Sequence, residues 1–339
     1  MAVSVRDVAV AASVSVGTVS NVLNRPEKVS AATVARVHAA IEELGFVRND
    51  AARQLRAGRS RSLGLVVLDV GNPFFAEVAR GADARAASEG ITVLVGSSDE
   101  DADREAAYLD LFREQRVNGV LLTPVQADAA RLERLRMAGV PVVLVDAELA
   151  PADGAGSVPS VSVDDIEGGF LAASHLLATG RRRLAFVGGS LEVRQVSDRL
   201  DGARRAVAEC DGARLEVIER PSLTVLEGRS VGEQLAARAE PGRPDAVFCA
   251  NDLLAVGMLQ GLSILGGVRV PEDIALIGYD DIDFASTAVV PLSSIRQPAR
   301  EIGAAAVELL MEVIAEPESA GRAVRFIPEL VVRASTASG

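Results

Sequence analysis

Residues 62–75 read SLGLVVLDVGNPFF. Leu63, Leu65, Val66, Val67 and Leu68 make an aliphatic run of strand length that stops at Asp69. A polar turn carrying Asn72 follows, and Phe74 and Phe75 open an amphipathic stretch to residue 89. A strand with no polar face, followed directly by a helix, is the repeating unit of a parallel sheet covered on both sides. Working outward, the same kind of run returns at 91–98 (ITVLVGSS), 117–124 (VNGVLLTP) and 141–146 (PVVLVD). It returns again at 182–189 (RRLAFVGG), 245–252 (DAVFCAND) and 274–281 (IALIGYDD). Helical patterns at 103–116, 166–179 and 298–315 lie between or after them. The runs fall into two sets separated near SVSVDD (160–165), which predicts an α/β body of two doubly wound parallel-sheet lobes.

In open sheets of this kind ligands bind outside the carboxyl ends of the strands, and those ends are where the polar and aromatic residues gather. The first strand delivers Asn72, Phe74 and Phe75, and PVVLVD delivers Asp146. Arg199 opens RLDGARRAV, AND places Asn251 and Asp252, GYDD places Asp280 and Asp281, and SSIRQP brings Gln297. Aromatic faces stack on the apolar side of a sugar ring, while carboxylates, amides and a guanidinium take its hydroxyls. The plainer reading is that such residues cap the helices that follow, and Asp252 and Asp281 are read in that way.

The first sixty residues differ in kind. Ser4 with Asp7 forms a capping-box pattern, after which Val5, Val8, Ala9 and Ala12 share a helical face. A break at SVS (13–15) precedes a second helix capped by Ser15, with Val16, Val19, Val22 and Leu23 at three- and four-residue spacing. NRPEKVS (24–30) is a turn. Ser30 caps a third helix whose inner face is Val34, Val37, Ile41 and Leu44, and Gly45 ends it. Two short helices joined by a tight turn, with a third packed across them, make a helix-turn-helix. The outward residues of its second helix are small or short and polar, suited to base edges in a major groove. A small helical bundle for protein contact uses the same pattern.

Charge separates the two parts. The chain has 339 residues and a formal net charge of −12, yet residues 1–62 carry +4 and the remainder −16. A basic head on an acidic body predicts a polyanionic partner at one end. The two cysteines, Cys210 and Cys249, stand apart in apolar contexts and read as reduced thiols. No apolar run reaches the ~18 residues of a membrane span, and the first ten residues lack the pattern of a signal peptide, so the chain reads as cytoplasmic with no membrane partner. Catalysis is not expected. The two histidines, His38 and His175, lie near no nucleophile in sequence, and no nucleophile elbow, Walker A loop or dinucleotide fingerprint is present. No cofactor or metal is expected.

The stretch VRDVAVAASVSVGTVSNVLNRPEKVSAATVARVHAAIEELGFVRNDAARQLRAGRS (5–60) resembles the DNA-binding head of the lactose/galactose repressor family of bacterial regulators, and the resemblance runs to about residue 335. It implies a helix-turn-helix head over 1–48, a hinge helix or linker over 49–60 and a periplasmic-binding-protein-like body over 61–339. The first lobe is expected at about 61–161 and 292–321, the second at about 162–291 and 322–339. It implies DNA contacts from Ser4, Arg6, Ser15, Val16, Gly17, Thr18, Ser20, Asn21, Asn24 and Lys28, and from Asn49, Ala52, Arg53, Leu55 and Arg56 of the hinge. In the family a hinge leucine wedges a minor-groove base step, the role implied for Leu55. A linker whose Leu55 rests on the body is the alternative. The body is similar to ribose-binding proteins, which implies effector contacts from Asn72, Phe74, Phe75, Asp146, Arg199, Asn251, Asp280 and Gln297.

Four departures from the family pattern stand out. Ser13 occupies a turn position often held by glycine. Asn21 replaces a frequent arginine, which suits adenine in place of guanine. Ala147 stands where the ribose-binding pattern has arginine, and SLTV (222–225) lacks an expected aromatic. The implied protein is a homodimeric repressor on a pseudo-palindromic operator, with a pentose or hexose sugar as effector and relief of repression as the expected response. A nucleobase effector and a free-standing sugar-binding protein are the alternatives. With no C-terminal leucine heptads, no tetramerisation helix is expected.

Overall fold

A computed structural model describes residues 3–46, 60–126, 129–149, 158–240, 242–265, 267–316 and 321–337. The chain divides into two compact units, Met1–Arg59 and Ser60–Gly339.

The head consists of α1 (Val5–Ala11), α2 (Val16–Asn24) and α3 (Ala31–Leu44). Each begins at a serine. Ser4 Oγ accepts from the Asp7 amide at 3.4 Å while Asp7 Oδ2 accepts from the Ser4 amide at 2.8 Å. Ser15 and Ser30 accept from the amides of Thr18 (3.0 Å) and Thr33 (3.4 Å). These bonds satisfy amides that a helix start leaves without partners. Ser13 turns the chain between α1 and α2 with φ 51°, and Gly45 ends α3 with φ 58°. The core is small: Val8, Ala9, Ala12, Val19, Val22, Val37 and Ala40 are buried, with Val14, Val34, Ile41 and Leu44 packed against them.

The body runs β1 (Ser62–Val67), α4 (Pro73–Ala87), β2 (Thr92–Ser97), α5 (Ala102–Glu114), β3 (Val120–Leu122), α6 (Ala129–Met137), β4 (Val142–Val145) and β5 (Ser160–Val163). It continues through α7 (Asp165–Ala178), β6 (Arg183–Gly188), α8 (Arg194–Ala208), β7 (Arg214–Glu219), α9 (Val225–Ala236), β8 (Ala246–Cys249), α10 (Asp252–Leu259) and β9 (Ala275–Ile277). The last elements are α11 (Asp283–Thr287), β10 (Ser294–Arg296), α12 (Ala299–Ala315), β11 (Ala323–Phe326) and β12 (Glu329–Val331). One parallel sheet has the order β11-β5-β4-β3-β1-β2 and the other β7-β6-β8-β9. In each lobe the strand order reverses beside the first strand, and the crevice there faces the other lobe.

The lobe boundaries differ from expectation in two places. Residues 323–326, assigned to the second lobe, pair in parallel with β5 in the first sheet. Residues 292–296, assigned to the first, side with the second: Ser293 and Arg296 bridge Ile277 and Asp280, and β10 pairs antiparallel with β12. The chain therefore crosses between lobes after Val163, around Gln297 and around 327–328. The physical reason is that β11 is an edge strand with alternating exposure, so it carries no continuous apolar run to announce it. SVSV was read as a divider but is a buried inner strand.

Helix pairs on each lobe approach through reciprocal glycines. A Cβ on Gly169 of α7 would land on the Arg199 carbonyl oxygen, and one on Gly202 of α8 on that of Ile166. Gly81 and Gly303 do the same for α4 and α12. The α7–α8 contact fixes the height at which Arg199 meets the interlobe cleft.

Candidate functional site

The cleft between the lobes holds a cavity of about 820 Å³. Seven of the eight residues expected around an effector line it: Asn72, Phe74, Phe75, Asp146, Arg199, Asn251 and Asp280. The eighth, Gln297, is not in the lining; it stands behind Asp280 and donates to its Oδ1 at 2.8 Å. Leu223 and Thr224 line the wall where an aromatic was expected, and Ala147 is not part of this lining.

Most of these polar atoms already have partners. Asn72 caps α4, accepting from the Phe74 amide at 3.0 Å, and its Nδ2 donates to Asp280 Oδ2 at 3.1 Å. Asn251 is the cap of α10, accepting from Leu254 at 2.9 Å and donating to the Leu223 carbonyl at 3.1 Å. This corrects the expectation for its neighbour. Asp252 does not cap α10 but is fully buried, taking bonds from Ser294 Oγ (2.8 Å) and the Ile282 amide (2.9 Å). Asp281 is likewise no cap, since it pairs with Arg296 (2.8 Å) and Arg333 (2.6 Å). In a sequence of adjacent polar residues, only the backbone direction at the strand end decides which one reaches the helix amides.

Arg199 is buried, with Nε on Asp165 Oδ1 at 2.8 Å, one terminal nitrogen on the Ala250 carbonyl at 2.8 Å, and Asp280 at 3.9 Å. Its guanidinium lies 3.7 Å from the Tyr279 ring centroid. Burial alone would lower its pKa, but Asp165, Tyr279, Asp280 and Asp146 together hold it above its ordinary value. Burial pushes Asp280 up to about 6, against the opposing pull of Arg199, Asn72 and Gln297. Asp146 is also raised, first by burial and then by Asp165. Its Oδ1 has no hydrogen-bond partner although the residue is 3% exposed. A buried carboxyl oxygen without a donor is costly.

Other lining residues were missed, among them Asp69, Glu100 and Gln195. Gln195 is buried in the first turn of α8 and donates to the Asp146 carbonyl at 2.6 Å and to its Oδ2 at 3.3 Å. Gln195 sits four residues before Arg199, on the same helix face, which is the signal that would have found it. The Gln195–Asp146 and Asn72–Asp280 bonds join the two lobes across the cavity. A ligand that takes Asp146 Oδ2 or the Asp280 carboxyl oxygens would meet the bonds that join the lobes.

On the head, Ser4, Arg6, Ser15, Val16, Gly17, Asn21, Asn24 and Lys28 are exposed, and Thr18 and Ser20 are half-buried. Val16 is 42% exposed, an apolar group standing among polar ones on the outer face of α2. Asn24 folds back, donating to the Ser20 carbonyl at 2.8 Å. Asn49, Ala52, Arg53, Leu55 and Arg56 lie outside the described residues.

Elsewhere, His175 bonds Thr336 Oγ1 at 2.7 Å, His38 is exposed on α3, and both cysteines are free. Among the described residues no cluster of His, Cys, Asp and Glu is arranged to hold a metal, and no helix is long and apolar enough to cross a membrane.

Residues 4–49 match the family model "Bacterial regulatory proteins, lacI family", and residues 173–336 match the periplasmic binding protein-like domain. The chain is 35% identical over 333 residues to the ribose operon repressor of Bacillus subtilis (strain 168), covering 98% of each. It is 32% identical over 334 residues to the HTH-type transcriptional repressor PurR of Aliivibrio fischeri (strain MJ11), again covering 98% of each. The chain belongs to the lacI family. Its structure matches that of the Lac repressor dimer bound to operator and the anti-inducer ONPF with a TM-score of 0.81 and 26% identity, over 100% of both chains. As a lacI-family member it is a DNA-binding transcriptional repressor that answers to a small effector, and the family is one of regulators, not enzymes.

Proposed function

We propose that this repressor responds to a sugar bound in the interlobe cavity and binds a pseudo-palindromic operator as a homodimer. Asn72, Phe74, Phe75, Asp146, Arg199, Asn251 and Asp280 form the effector wall, with Gln297 and Gln195 holding its carboxylates in place. The observation that carries the reading is that Phe74 and Phe75 line one cavity together with the polar side chains of Asn72, Asp146, Arg199, Asn251 and Asp280. Phe74 and Phe75 stand edge to face at 5.0 Å, which leaves an aromatic surface for the apolar side of a pyranose or furanose ring. The ribose operon repressor supports a sugar by its name, and the operator-bound Lac repressor dimer supports the assembly.

Each α2 is assigned to a major groove, with Val16, Gly17, Ser20 and Asn21 toward base edges and Arg6 and Lys28 toward phosphates. Residues 49–60 are assigned to the minor groove, with Leu55 as the wedge and Arg53 and Arg56 against phosphate. The effector regulates by binding the DNA-competent and DNA-incompetent lobe poses unequally, and relief of repression is the expected sign.

A thermal-shift screen of sugars and nucleobases tests the effector class, because a ligand that binds the folded state raises its melting temperature. A sugar is expected to stabilise the protein. In Asp146→Asn, which keeps the shape but replaces a carboxyl oxygen with an amide nitrogen, that sugar should bind about tenfold or more weaker. Stabilisation by a nucleobase alone would contradict the sugar reading.

A further inference from the structure

The outer face of α2 has a composition that packing within the head does not explain. Its nine residues, VGTVSNVLN, include no charged side chain. Val19 and Val22 turn inward and are buried, while Val16, Gly17 and Asn21 are exposed. Residues 16, 17, 20 and 21 share one face at helical spacing. Two polar groups here are taken up locally. Asn24 Nδ2 donates to the Ser20 carbonyl at 2.8 Å and to Ser20 Oγ at 3.3 Å, and Thr18 Oγ1 lies 2.9 Å from Ser15 Oγ. The Asn21 side-chain amide has no partner among the described residues.

Gly17 is the least expected residue of this face. In the body, helix glycines are set by packing: a Cβ on Gly81, Gly169 or Gly202 would come within 2.0 Å of a backbone carbonyl oxygen. A Cβ on Gly17 would meet only Ser15 Oγ, at an ordinary 3.6 Å, and its backbone is helical. Glycine is among the poorest helix formers, and nothing among the described residues of the head requires one here. The space it leaves serves whatever lies against α2, since a missing side chain lets a ligand come close to the backbone.

Base edges in the major groove sort by side-chain type. Guanine is taken by Arg or Lys and cytosine by Asp or Glu, and α2 has none of the four. Adenine offers N6 and N7 to Asn, and the thymine methyl group packs on an apolar side chain. Asn21 and Val16 supply those two groups, from the half of a recognition helix that reaches base edges. We propose that α2 selects A·T pairs, with Asn21 on an adenine, Val16 on a thymine methyl group, and Gly17 left bare so that the groove edge comes up to the helix. This rests on the operator reading above and narrows it to the bases beneath α2.

Selection of operators from random DNA by the full-length protein, followed by fluorescence anisotropy on the selected duplex, tests it. Each half-site should hold an adenine that Asn21→Arg converts to guanine in a repeated selection, with the other positions unchanged. Replacing that adenine by 7-deazaadenine should weaken binding about tenfold. Uracil in place of thymine removes only the methyl group; at one position it should weaken the parent severalfold and leave Val16→Ser unaffected. Gly17→Ala should weaken operator binding severalfold without lowering the melting temperature, because alanine favours the helix. A G·C pair at the position that answers to residue 21, uracil tolerated at every thymine, or a Gly17→Ala protein that binds as tightly as the parent would overturn the inference while the operator reading stands. A selection that enriches no site would contradict both.

Discussion

Asp280 shows what the cleft asks of single residues. It adopts φ 103°, and Asp99 (φ 50°), Glu100 (φ 58°) and Asp146 (φ 55°) around the same cavity are also left-handed. Non-glycine residues in that region cost free energy that the surrounding structure must offset, and such residues gather at binding sites. Asp280 also carries a titration signature. Its pKa is raised to about 6, chiefly by burial, so the folded state binds its proton more tightly than the unfolded chain does. Its contribution to stability is therefore present in full below about pH 4 and is lost as pH rises through about 6, by at most about 3 kcal/mol. Asp280→Asn removes this dependence. The melting temperature of the variant relative to the parent is expected to rise between pH 4.5 and 7, and a difference that stays flat with pH would contradict the assignment. At this scale the sequence was legible where one residue does one local job. Ser4, Ser15 and Ser30 cap, and Gly45 and Ser13 turn the chain left-handed. It was not legible at Asn251 and Asp252, where the direction of the chain leaving β8 makes Asn251 the cap and buries Asp252 behind it.

At the scale of elements, the long apolar runs read correctly as strands, most of them buried on both faces, although β2 is an edge strand with Leu94 and Val95 exposed. The strands that sequence reasoning passed over are β7, β11 and β12, which are alternating or half-exposed, the three-residue β10, and the buried β5, whose serines broke its apolar run. Their partners are distant in sequence, so only the assembled sheet shows them. The helix pairs depend on their glycines. Gly202→Ala puts a methyl group onto the Ile166 carbonyl oxygen and must push α8 off α7. Calorimetric unfolding should show a loss of about 1–3 kcal/mol, and because Arg199 is three residues away on α8, affinity for the effector should fall with it. Unchanged stability would mean that the helices do not cross there. The hinge assigned to residues 49–60 has its own test. Leu55→Ala is expected to weaken specific operator binding about tenfold or more, with the sugar's thermal shift unchanged, and an unaltered operator affinity would remove the wedge from the account.

Over the whole molecule, the +4 of residues 1–62 and the −16 of the rest divide the labour between polyanion binding at one end and an acidic effector cleft at the other. Nothing in the sequence shows that the bonds joining the lobes, Asn72 to Asp280 and Gln195 to Asp146, fall on side chains that line the cavity. In the proposed account that coincidence couples the cavity to DNA binding, because a ligand on these side chains would exchange contacts that join the lobes. The most direct test is a fluorescence-anisotropy titration of an operator, selected from random DNA, with the full-length protein. It is run with and without a saturating concentration of a sugar that stabilises the protein in the thermal-shift screen. The selected operator should be pseudo-palindromic, and the sugar should raise its Kd about tenfold or more, an effect of the usual size for coupling between two sites. An operator Kd that does not move while the sugar is demonstrably bound would contradict the account.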